Sequence, residues 1–93
     1  MIIETSKAKN KRFVAIFKDG KKVNFGLKNP KIGTYIDHKD KIIRKNYRAR
    51  HEVNEKKFYN NPKKPATLSR FILWGEATNL KDAIKDYERK FKV

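Results

Sequence analysis

Asp19-Gly20 stands between two strand-like runs, and that dipeptide constrains the fold more than any other feature of the chain. Both central residues of a type I′ turn need positive φ, so Asp-Gly between β-rich runs is among the strongest short-range hairpin signals. Upstream, Arg12 to Lys18 (RFVAIFK) is β-branched or aromatic at most positions, and downstream Lys21 to Phe25 (KKVNF) alternates once past Lys22. A two-residue loop pairs Lys18 with Lys21, Ile16 with Val23 and Val14 with Phe25, which predicts Val14, Ile16, Val23 and Phe25 on the core face. The opposite face then holds Phe13, Ala15 and Phe17 against Lys22 and Asn24. Either the Ile2-Ile3 segment or a helix covers those phenylalanines, or bases stack on them, as on sheet platforms that hold single strands. The segment 1–11 is an edge strand or a flexible arm, with Ser6 to Arg12 a solvated connector.

Helix signals fill the rest. Asp37 suits an N-cap, with Asp40 completing a capping box, and opens a helix through Val53. On it Lys41, Arg44, Lys45 and Arg48 form one face, while Ile36, Ile43 and Tyr47 form another that can pack. Gly26 to Gly33, containing Asn29-Pro30, is a turn-rich link, and Asn54 to Lys64 is a polar loop in which Phe58 and Tyr59 are satellite core contacts or exposed aromatics. Pro65 opens a short helix ended by Gly75, greasy nearly all round through Leu68, Phe71, Ile72, Leu73 and Trp74. A last helix, capped by Thr78 or Asn79, repeats Leu80, Ala83, Ile84, Tyr87 and Phe91 at helical spacing, with Asp86 and Lys90 an i, i+4 pair on its solvated side. The expectation is one α+β domain over residues 1–93: a β-hairpin, three-stranded if Ile2-Ile3 adds an edge, packed with about three helices. Its expected core is Val14, Ile16, Val23, Phe25, Ile43, Tyr47, Leu68, Phe71, Ile72, Trp74, Leu80, Ile84, Tyr87 and Phe91.

Charge narrows the function. Twenty-five Lys and Arg against ten Asp and Glu leave +15, with no low-complexity tail to carry the excess. Such a field attracts polyanions: nucleic acid, anionic lipid, acidic protein or heparin-like polymers. Without cysteine there is neither disulfide nor thiolate metal site, which fits a reducing compartment or indifference to redox. The opening MIIETSKAKN is too short an apolar run for a signal-peptide core or membrane span, so a soluble protein with no membrane partner is expected.

Catalytic patterns are not compelling. His38 and His51 lie too far apart on one helix, about 20 Å at 1.5 Å per residue, to share a metal. Helix-end histidines usually cap carbonyls or face water; a local set of Asp37, His38 and Asp40, or His51 with Glu52 and Glu55, is the alternative. Ser69 lacks a GxSxG elbow and evident partners, and Gly26 and Gly33 lack phosphate-loop spacing. No enzyme, metal or cofactor is expected. The candidate site is Lys41, Arg44, Lys45, Arg48 and Arg50, with Lys22 assisting. Arginine forks bond two phosphate oxygens, and the Tyr47 hydroxyl can add a contact. The stripe is tolerated either because water screens it or because an anionic partner relieves it.

FxxGKKVxFG (Phe17 to Gly26), His38-Lys39-Asp40, YRARH (Tyr47 to His51), NPKKPATLSRFILWG (Asn61 to Gly75) and LKDAIKDYERKF (Leu80 to Phe91) together resemble a family of small basic proteins of unassigned function encoded by large double-stranded DNA viruses of eukaryotes. His38, Lys39, Asp40, Tyr47, Arg50, His51, Ser69, Arg70, Leu73 and Trp74 match its pattern. Gly75, and a longer Lys-rich loop before Pro65, depart from it. The resemblance implies a virion or the cytoplasmic viral factory as the setting. There the expected role is non-specific nucleic-acid binding in genome packaging, or else a structural virion protein docked on an acidic protein surface.

Overall fold

The computed structural model describes residues 1–28 and 31–93, so the turn expected at Asn29-Pro30 lies outside the described residues. Three antiparallel strands, β1 (Ile2–Thr5), β2 (Lys11–Ile16) and β3 (Lys22–Leu27), form a meander in the order β1-β2-β3. Among the described residues four α-helices follow: α1 (Tyr35–His38), α2 (Lys41–Glu55), α3 (Pro65–Leu68) and α4 (Leu80–Phe91), with a 3₁₀ turn (Lys56–Phe58) after α2 and a π-helical turn (Ser69–Leu73) continuing α3. The α+β class is as expected, with β1 the third strand and one helix more than anticipated.

The hairpin differs from expectation by one residue. Its loop is Lys18-Asp19-Gly20: the Phe17 and Gly20 N–H groups donate to Lys21 O and Phe17 O, both at 2.9 Å, and Gly20 sits at φ +89°. This is the three-residue loop with a left-handed third residue. Phe13 therefore faces Phe25, Ala15 faces Val23, and Ile16 faces Lys22. Because side chains alternate along a strand, a one-residue slip exchanges the faces of β2. Ala15 and Phe17 are buried at 0% and 4% exposure, whereas Val14 and Ile16 lie half-buried on the outer face. The energetic reason is that two phenylalanine rings remove more apolar surface from water than valine and isoleucine do. Phe17 is buried in the core and Phe13 packs against it beside Phe25, which removes the stacking platform.

The core joins the inner sheet face to Tyr35, Leu68, Ile72, Leu73, Trp74, Ala83 and Tyr87, with Ile43, Tyr47, Phe71, Leu80 and Phe91 packed around it. Ile84 is only half-buried. The π turn resolves the problem of a segment apolar on every side. Trp74 N–H donates to Ser69 O, five residues back, and the wider turn points Ile72 and Leu73 inward while Phe71 meets Phe91 and Trp74 meets Tyr47. Gly75 follows because a Cβ there would stand 2.3 Å from Phe71 O. The 54–64 segment is held by buried hydroxyls: Thr67 donates to Phe58 O at 2.6 Å and Tyr87 to Pro62 O at 2.5 Å. Tyr59 meets Phe71 edge-on, a satellite contact.

Candidate nucleic-acid interface

The basic helix starts three residues later than its sequence suggests. Asp37 is not its cap. It is the third residue of α1, where Thr34 N–H and Oγ1 both donate to Asp37 Oδ2 at 2.8 Å. Asp40 is the N-cap of α2, accepting from Ile42 and Ile43 N–H at 2.9 and 3.2 Å. Between the two turns Lys39 takes a left-handed conformation, φ 59°. His38 belongs to α1, and its Nδ1 accepts the Asp40 N–H at 2.9 Å, so it helps to set the corner.

No residue of α2 is fully buried. Tyr47 secures the helix by stacking on Trp74, centroids 3.9 Å apart and planes 6° from parallel, with His51 on its other side at 4.0 Å. Burial pushes the Tyr47 hydroxyl pKa up to about 12. Arg44 supplies the second attachment: Nε donates to Gly75 O at 2.8 Å and Trp74 O at 3.3 Å, and Nη2 to Glu76 at 2.7 Å. A guanidinium over the last carbonyls of a helical segment neutralises the negative end of its dipole. Arg48 reaches the same carboxylate at 3.7 Å. Burial, then the nearby Arg70 and Arg44, lower the Arg48 pKa.

The expected basic stripe is therefore divided. Arg44 and Arg48 face the body, while Lys41, Lys45 and Arg50 are exposed. Lys22 is exposed on the outer sheet face beside Glu4 and Asn24, away from α2. The reason is geometric: Arg44 and Arg48 share the side of the helix that carries Tyr47, so docking the ring docks them too. On α4, Asp86 pairs with Arg89 at 3.3 Å, and Lys90 lies over the Phe71 ring instead.

Charge gathers elsewhere. The 6–10 connection and the end of β3 meet where Lys11 pairs with Leu27 and Lys28 N–H donates to Asn10 O at 3.1 Å. Lys7, Lys9, Lys11 and Lys28 are all exposed there. Arg12 ties this end to α1 through a two-pronged contact with Asp37, 2.8 Å to each oxygen, and the exposed Lys39 and Lys41 follow Asp37 in the chain. That contact and the Thr34 bonds hold the Asp37 carboxyl well below the usual carboxylate range. Two acids near this end are already committed, Asp37 to Arg12 and Asp40 to the α2 amides, while Glu4 lies near Lys7 and Glu55 near Lys11. The 6–12 connector carries alternating Lys7, Lys9 and Lys11, a signal visible in the sequence, but only strand pairing brings Lys28 to them.

Residues 1–51 match a family of unknown function (DUF5754). The chain belongs to that family. No curated protein and no solved structure matches it. The matched span holds the whole sheet, α1 and most of α2, and so includes the lysine end and the Arg12–Asp37 tie. A cleft of about 490 Å³ between the π turn and α4 carries Arg48, Arg89 and Lys90, but Glu76 and Asp86 line it too and offset them. Among the described residues no three His, Asp or Glu side chains are placed to hold a metal, and no helix is long and apolar enough to cross a membrane. His51 Nδ1 lies 3.5 Å from Glu55.

Proposed function

We propose that this protein binds nucleic acid without sequence specificity, through Lys7, Lys9, Lys11, Lys28, Lys39 and Lys41, with Lys45 and Arg50 adding charge along α2. One observation carries the reading: Lys7, Lys9, Lys11 and Lys28 are exposed where the 6–10 connection meets the end of β3, and Asp37 and Asp40, which flank the exposed Lys39, are occupied by internal bonds. Among the described residues, the Lys and Arg side chains in ion pairs are Arg12, Arg44, Arg48, Lys63 and Arg89, so most of the +15 charge is available to a polyanion. Lysines present point charges on flexible stems, which suits backbone neutralisation and not base readout. The role is binding, with no catalytic step. A place in genome packaging within a virion or viral factory is part of the proposal and rests on the resemblance in the sequence.

The test is a gel-shift titration on random duplex at 50 and 200 mM salt. Neutralising four to six phosphates gives a log-log slope of roughly −4 to −5. Changing Lys7, Lys9, Lys11 and Lys28 together to Gln should remove about half of that slope, and Arg44→Met almost none. A flat salt dependence, or a quadruple variant that binds like the parent, would refute the assignment.

A further inference from the structure

We propose that the outward face of α2 is a docking surface for an acidic amphipathic helix of another protein. Ile42 and Val53 are 73% and 83% exposed and lie on this face. With Asn46 and Ala49, both exposed, they form a line at spacings of four, three and four residues. That is the spacing of a helix–helix seam, on which every position faces a partner. The inward side of the same helix is occupied by Tyr47, Arg44 and Arg48, so nothing in the fold covers the line.

Charge selects the occupant. Lys41 and Lys45 border the line on one side, ahead of the partly exposed Glu52, and Arg50 on the other; the three cations are exposed. A helix with apolar residues along its centre and Glu or Asp along its edges would bury Ile42 and Val53 and meet three cations. A second copy fits poorly. It would bring +15 against +15. Nucleic acid fits poorly too, since phosphates would have to rest on isoleucine and valine. The apolar line lies apart from Lys7, Lys9, Lys11 and Lys28; its flanking Lys41, Lys45 and Arg50 are shared with the nucleic-acid proposal, but the docking surface stands without that reading.

The probe is a synthetic helix of about three heptads with Leu at a and d and Glu at e and g; its control has Ser in place of Leu and equal charge. Binding to the full chain is measured by fluorescence anisotropy, with amide shifts mapped on ¹⁵N-labelled protein. The Leu helix should bind at least about tenfold tighter than the Ser control, from the apolar area added, with shifts centred on Ile42, Asn46, Ala49 and Val53. Ile42→Gln with Val53→Gln keeps the charge and removes only exposed apolar groups. It should melt like the parent and abolish the difference between the peptides. Equal binding of both peptides, or an unaffected double variant, would overturn the proposal. So would self-association, or binding to anionic vesicles, that disappears in the double variant, since either would give the face to a different occupant.

Discussion

Arg44 is the residue whose role sequence and structure describe most differently, and Arg44→Met separates the two descriptions. As an exposed phosphate reader it could be lost without harm to the fold. In the structure its side chain is 15% exposed and bonds two carbonyls at the end of the π turn. Hydrogen bonds to a charged donor contribute about 1.5–3 kcal/mol net when one partner is removed. The link to Glu76 adds little, because that carboxylate is 84% exposed and solvent screens the pair. The guanidinium also lies 5.2 Å from the Tyr35 ring centroid, a contact of about 0.5–1 kcal/mol at such sites. Methionine keeps most of the bulk, so the loss is chiefly polar, about 2–3 kcal/mol. At about 4–8 °C per kcal/mol for a domain of this size, the melting temperature should fall by about 10–20 °C. The assay is thermal and urea unfolding followed by circular dichroism, beside Lys45→Met, whose exposed position predicts a change within about 0.5 kcal/mol. If Arg44→Met melts within about 2 °C of the parent, or no lower than Lys45→Met, the clasp between α2 and the π turn is not a stabilising element.

Three other outcomes follow from the packing. The observed strand register predicts that Ala15→Leu overfills the core and costs about 1–3 kcal/mol, while Val14→Thr on the outer face is nearly neutral; urea midpoints that rank them in reverse would restore the two-residue loop. Gly75→Ala should cost more than about 2 kcal/mol, because its Cβ would collide with Phe71 O; an unchanged urea midpoint would mean that the turn yields. Acid should weaken the fold through Asp37, whose carboxyl titrates below its unfolded value because of Arg12. The stability it contributes is complete above the unfolded carboxylate pKa of about 4 and is lost as pH falls below that. Asp37→Asn should therefore flatten the loss of stability between about pH 4 and pH 2, and an unchanged acid profile would remove Asp37 as its source.

Much of the fold was legible because local chemistry and tertiary packing agree. Gly20 marked the hairpin, Pro65 and Gly75 bounded the greasy segment, and Asn79 caps α4 by accepting from Asp82 N–H at 2.9 Å. The candidate site was less legible for two reasons. RFVAIF is apolar on both faces, so alternation could not choose its register, and one extra loop residue reversed it. On α2, helical spacing grouped Lys41, Arg44, Lys45 and Arg48 correctly as neighbours, but it could not say on which side of that group the body would lie.

Composition and pattern alone determined a small cationic α+β domain with a hairpin and amphipathic helices, because these follow from side-chain periodicity and turn preferences within short windows. Only the tertiary structure decided which positive charges remain free. Trp74 lies far along the chain from Tyr47, yet their stacking turns α2, commits Arg44 and Arg48 to carbonyls and Glu76, and leaves Ile42 and Val53 facing water. Pairing of β2 with β3, reaching across the hairpin, likewise gathers the lysines at one end. Both results depend on contacts between distant segments, and no local window of sequence contains them.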